Sequence, residues 1–142
     1  PFAHLMKYGR GVSLRTAVSS DTYDIPGYAP SHQFQYSTQK GISFVDAAAA
    51  FNKESGELAV FAVNRDCEHA RLLNIDAQAF EGCRLIEHIQ LHSDDLHLMN
   101  TWEKPDAILP KVNPDTSFHH GKLTAVIPPL SWNVFRFEVK GL

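Results

Sequence analysis

The strongest regularity in the chain is a period of two. In Asn133–Val139, Phe135, Phe137 and Val139 fall on one face, with Val134, Arg136 and Glu138 on the other. That is the mark of a strand with one face turned to a core. Lys122–Ile127 precedes it as a second strand, joined through Pro128-Pro129-Leu130-Ser131. Val12–Val18 alternates over its first half, and Ala70–Asp76 sets Leu73 and Ile75 against Leu72, Asn74 and Asp76. Cys83–Leu91 sets Leu85, Ile89 and Leu91 against Arg84, His88 and Gln90, with Ile86 and Glu87 breaking the pattern. From Ile42 to Arg65 the sequence predicts a β-hairpin. Ile42–Val45 leads into an alanine run, Leu58–Val63 returns, and Asn52–Gly56 supplies the turn. Ala47–Ala50 alone favours helix, but a helix squeezed between strand formers would be a few residues long, so strand is expected.

The remaining segments read as loop. Ser19–Thr22 and Ile25–Pro30 are rich in turn formers, and Ala77–Gly82 is a short connection. Residues Ser93–Gly121 hold Pro105, Pro110 and Pro114 with little periodicity. A loop of that length inside a compact domain is usually functional or packed against something else. Seven or so short strands at this turn spacing predict a single all-β domain, an antiparallel, jelly-roll-like β-sandwich.

Composition narrows the partners. A chain of 142 residues with 44% hydrophobic and 20% charged residues has the composition of an ordered domain with one core. Net charge is −3 with the signs interspersed, which gives no electrostatic footprint for nucleic acid or an anionic membrane. No apolar run approaches the ~20 residues that span a bilayer. The chain opens Pro1-Phe2-Ala3, which reads as a cut inside a longer protein. Cys67 and Cys83 flank Ala70–Asp76 and allow at most one bridge; reduced thiols are expected, because this core does not need staples.

Candidate chemistry is sparse, and neither a cofactor nor a metal is expected. His88, His92 and His97 are spaced by four and five, but on a strand followed by a loop that spacing fixes no common face. His119 and His120 point to opposite faces if extended. Asp94-Asp95 suit a turn, where Asp bonds its own backbone. Glu87 shares the parity of Leu85 and Ile89, so it is expected to point inward and pair with a base such as Arg65.

Four motifs occur in order along the chain: Lys7-Tyr8-Gly9-Arg10-Gly11-Val12, Phe61-Ala62-Val63-Asn64-Arg65-Asp66, Leu85-Ile86-Glu87-His88-Ile89 and Leu130-Ser131-Trp132-Asn133-Val134. Together they resemble the carboxy-terminal region of the family 51 α-L-arabinofuranosidases, over nearly the whole chain. The resemblance implies a (β/α)8 barrel upstream that carries a retaining glycosidase site and releases terminal arabinofuranosyl groups. It implies residues 1–8 as the exit from that barrel and 9–142 as a non-catalytic sandwich. It implies the barrel as partner, a homo-oligomeric parent and a cytoplasmic location. On this reading the 142 residues contain no catalytic residue. Trp132 is expected in the core or at a domain interface. Tyr23, Tyr28, Phe34, Tyr36 and Trp102 either dock on the barrel or a neighbouring subunit, or stack on sugars as in a freestanding carbohydrate-binding module.

Overall fold

The computed structural model describes residues 1–31 and 33–140. One short helix, α1 (Phe2–Tyr8), precedes thirteen strands. These are β1 (Val12–Leu14), β2 (Thr22–Ile25), β3 (Tyr28–Ser31), β4 (Phe34–Tyr36), β5 (Gln39–Ser43), β6 (Val45–Asn52), β7 (Glu57–Asn64), β8 (Arg71–Asp76), β9 (Arg84–Leu91), β10 (Lys111–Val112), β11 (Ser117–His119), β12 (Lys122–Ile127) and β13 (Ser131–Glu138). A six-stranded antiparallel sheet runs β1-β6-β7-β13-β9-β10, and a three-stranded sheet runs β11-β12-β8. The two sheets close a sandwich. β2 with β5, and β3 with β4, form two separate two-stranded ribbons.

The core lies between the two larger sheets. Phe51, Leu58, Val60, Phe135, Phe137 and Val139 from the large sheet meet Leu123, Ala125 and Ile127 of β12, with Leu73 and Ile75 of β8 packed against them. This is the face the period-two pattern assigns. Phe118 of β11 lies tilted on Phe137 at 5.2 Å. The alanines of β6 pair opposite β7, Ala47 with Ala62 and Ala49 with Val60, so burial in a sheet overrides their helical preference. In the hairpin turn, the Asn52 side-chain oxygen accepts from the Glu54 and Ser55 N–H groups at 3.0 and 3.4 Å. Gly56 there adopts φ +68, a left-handed conformation that suits glycine.

Three expectations change. First, His88 faces the core, because β9 carries a bulge. Phe137 pairs with Leu85 while Arg136 pairs with Glu87, so Ile86 is the extra residue and the parity reverses across it. Leu85 therefore shares the inner face with His88 and Gln90, while Glu87, Ile89 and Leu91 take the outer one. Second, the loop expected at Ser19–Thr22 and Ile25–Pro30 contains strands β2 and β3. Tyr28–Ser31 is exposed throughout, and a ribbon with no buried face leaves no hydrophobic alternation to read. Third, pairing of Val12–Val18 stops at Leu14, opposite Ala49. Within Ser93–Gly121 only β10 and β11 pair, and ahead of β10 Asn100 clasps a turn by bonding both the N–H and the C=O of Ile108. Cys67 and Cys83 are free thiols.

Candidate functional site

The outer face of the six-stranded sheet carries a second apolar cluster. Ala59, Phe61, Ile89 and Val134 are buried there, with Tyr8 and Trp132 packed on them. α1 supplies the cover. It has seven residues and no side-chain cap, too short to be stable by itself, so it is held by what it touches. Trp132 stacks on Phe61 at 5.8 Å and its Nε1–H donates to His4 Nδ1 at 3.3 Å. Gly9 ends the helix by donating to the Leu5 carbonyl at 2.9 Å. A Cβ at Gly9 would lie 2.6 Å from that oxygen, so the tight turn that ends the helix favours glycine, while the 3.6 Å to the Phe61 ring would be an ordinary contact. The other side of α1 is apolar and open: Phe2, Leu5 and Met6 are exposed.

At the centre of this face, Arg136 collects two carboxylates. Glu57 binds it through both oxygens, at 2.6 Å to Nε and 3.1 Å to the second Nη, and Glu87 binds the remaining Nη. The guanidinium also lies over the Tyr8 ring at 4.2 Å. Hydrogen bonding to Glu57, above all, pushes the Arg136 pKa further up and burial opposes it. The partner of Glu87 is thus Arg136 and not Arg65, which instead binds Asp46 at 2.6 Å and the Ser43 carbonyl. The bulge carries Glu87 to the outer face, across β13 from Arg136, and the sequence pattern has no way to show that shift.

Several of the other candidate acids and histidines have local partners. Asp95 receives the His97 N–H at 2.9 Å as a turn former, and Asp94 lies 3.1 Å from His92 Nε2. Asp66, on the buried corner after β7, accepts from the Glu68 and His69 N–H groups and from Arg71. Those bonds, Glu68's first, hold its carboxyl well below the usual carboxylate range. His88 sits on Phe135 at 4.1 Å, between Thr116 at 2.7 Å and Asn133 at 3.0 Å. Burial lowers its pKa from the ordinary value. Among the described residues no three His, Cys, Asp or Glu side chains gather closely enough to hold a metal ion.

A cleft of about 960 Å³ opens between β6 and β8, walled by Leu14, Val45, Ala49, Leu73, Ile75 and Phe80. Its carboxylates are engaged separately: Asp21 with Arg71 at 3.1 Å, and Asp76 with the Gln78 N–H at 3.0 Å. A retaining glycosidase sets two carboxyl groups about 5–5.5 Å apart across one sugar. Here carboxylates converge in two places, each on an arginine: Glu57 and Glu87 on Arg136, and Asp66 and Asp21 on Arg71.

Comparison with known proteins identifies the family. The family model of the α-L-arabinofuranosidase C-terminal domain matches residues 1–131. The chain belongs to that family. The intracellular exo-α-(1→5)-L-arabinofuranosidase of Halalkalibacterium halodurans is 32% identical over 140 residues, 99% of this chain and 25% of that protein. The enzyme of that name from Bacillus subtilis, numbered 1, is 33% identical over 138 residues, 97% of this chain and 25% of that protein. Among solved structures, the family 51 α-L-arabinofuranosidase AbfB from Bifidobacterium longum superimposes with a TM-score of 0.78 at 27% identity, over 96% of this chain and 25% of that one. An arabinose complex of the Thermotoga maritima enzyme shares the fold, with a TM-score of 0.73 at 23% identity over 87% of this chain and 25% of that one. This arabinofuranosidase C-terminal domain therefore spans about a quarter of the length of the relatives it matches. No helix among its described residues is long and apolar enough to cross a membrane.

Proposed function

We propose that this chain is the non-catalytic carboxy-terminal sandwich of an α-L-arabinofuranosidase, and that it supports a catalytic (β/α)8 barrel upstream in the same polypeptide. The observation that carries the reading is the outer sheet face, an apolar cluster covered by one short helix whose own outward residues, Phe2, Leu5 and Met6, are exposed. A helix layer that is apolar on both sides expects a further layer. In this arrangement residues 1–8 lead out of the barrel, α1 lies between the two domains, and residues 9–142 form the sandwich. The relatives' names suggest an intracellular, exo-acting parent that removes arabinofuranosyl groups; in this proposal both catalytic carboxylates belong to the barrel. The parent is expected to be a homo-oligomer. No cofactor or metal belongs to this domain's role.

Replacing Leu5 and Met6 together by Asp tests the docking. In the 142-residue chain alone the change is on the surface and should shift stability by no more than about 0.5 kcal/mol. In the full-length protein the same pair should lower the melting temperature by several degrees and reduce arabinofuranosidase activity. Equal, negligible effects in both proteins would remove α1 from the interface. Trp102, 96% exposed in a turn, favours a second reading as a sugar-binding module. Titration with arabinan oligosaccharides separates the two, since a supporting sandwich should show no saturable binding.

A further inference from the structure

The ribbons between β1 and β6 stand apart from the sandwich in structure and in chemistry. Their base is anchored. Tyr23 lies on Phe44 at 4.7 Å, the Arg71 guanidinium covers Phe44 at 4.2 Å, and the Phe44 N–H donates to the Asp21 carbonyl at 2.9 Å. Their outer half is not. β3 and β4 pair only with each other, and a lone two-stranded hairpin is at best marginally stable in water. Tyr28 pairs directly opposite Tyr36, and Phe34, two residues before Tyr36, shares its face. Those three aromatic side chains each expose 62% of their surface. From Ile25 to Gln39 the sequence contains no Lys, Arg, Asp or Glu.

An uncharged strip with three aromatic rings on one face has the composition of the centre of a protein interface, where charge is depleted and Tyr and Phe are enriched. A rigid surface pre-organised for sugar is a poor description of it. A ribbon with no core of its own would pay its ordering entropy when the sugar bound. A protein surface that stays in contact orders it permanently. The chain is a quarter of the length of its relatives, so most of the polypeptide that could cover the ribbon lies outside these residues.

We infer that the β3–β4 ribbon is an arm whose Tyr28–Phe34–Tyr36 face packs on the upstream catalytic domain of the same polypeptide, as a second contact separate from α1. This rests on the docking reading above, and one experiment separates the two. In the full-length protein, p-benzoylphenylalanine is placed at Phe34 in one variant and at Met6 in another, and each is irradiated with arabino-oligosaccharide present. The Phe34 probe should crosslink within a single polypeptide to peptides upstream of this domain, with a yield unchanged by tenfold dilution. A crosslinked dimer, or a yield that falls on dilution, would assign the arm to a second copy and overturn the inference. So would labelling of the sugar, or no crosslink. An upstream crosslink from Met6 with none from Phe34 would sink the arm and leave α1 docking intact. The reverse pattern would sink the α1 contact and keep the arm, and failure of both would remove both.

Discussion

Phe137 is fully buried between the sheets, against Phe118 and opposite Leu58 on β7. Phe137→Ala should cost roughly 3–5 kcal/mol, the lost transfer free energy plus the cavity left behind. A denaturant melt showing a loss below about 1 kcal/mol, the scale of a surface change, would mean the strand face is misplaced. His88 is buried too, but polar, and burial keeps its pKa below the ordinary 6.5. In acid the unfolded chain takes up a proton that the folded imidazole resists. Stability is therefore complete above about pH 6.5 and declines as the pH drops through that value toward the folded pKa. His4, lowered first by burial and also by Lys7, contributes with the same sign. In His88→Gln the chemical midpoint should lose part of its fall between about pH 7 and pH 5. An unchanged pH slope would show that His88 titrates alike in both states. Asp66, held low by its hydrogen bonds, has the opposite chemistry and a different window: its contribution is present above about pH 4 and is lost in stronger acid.

The β6–β7 hairpin was legible because its signals agree. Asn52 and Gly56 bracket the turn, and apolar residues flank it on both sides. Gly56→Val puts a β-branched residue at φ +68, with its Cβ 2.9 Å from the Val139 carbonyl, and left-handed backbone alone costs roughly 1–2 kcal/mol. Lys53→Ala, on the exposed part of the turn, should change nothing measurable. Matching losses from both, in parallel thermal melts, would argue against this turn. β13 was equally plain, since Phe135, Phe137 and Val139 alternate without interruption. β9 was half legible. Its broken pattern at Ile86 and Glu87 is the bulge, but a bulge is defined by the partner strand, so the sequence of β9 alone assigns Glu87 and His88 to the wrong faces. β2, β3 and β4 were not legible as strands, because they bury no alternating face, and the strand expected from Ile42 divides at Phe44 into β5 and β6. α1 was missed for want of length: seven residues hold two turns and no repeat of the helical period.

At the scale of the molecule, the inner faces of the strands explain a stable sandwich, and the outer face is where the proposed partner would pack. The Phe61-Ala62-Val63-Asn64-Arg65-Asp66 motif serves both. Phe61 carries Trp132 on the outside. Asn64 closes the inner end of the sandwich by donating to the Ile127 and Pro128 carbonyls at 3.2 and 2.9 Å. Residues of this motif thus make contacts on both faces of the sheet, which is why it indicated the fold. Breaking the Arg136 cluster should show in stability: Arg136→Ala leaves Glu57 and Glu87 partly buried without their cation, costing on the order of 2 kcal/mol. Glu87→Gln, which keeps a hydrogen-bonding group beside the arginine, should cost less, and the reverse order in a urea melt would contradict the pairing. The central claim is that this domain supports catalysis without performing it. Its most direct test is hydrolysis of an aryl α-L-arabinofuranoside by the purified 142-residue chain, beside its Glu87→Gln variant and the full-length protein. The full-length protein should turn the substrate over and both forms of the isolated domain should match buffer. Turnover by the isolated domain that vanished in Glu87→Gln would make Glu87 catalytic and contradict the account.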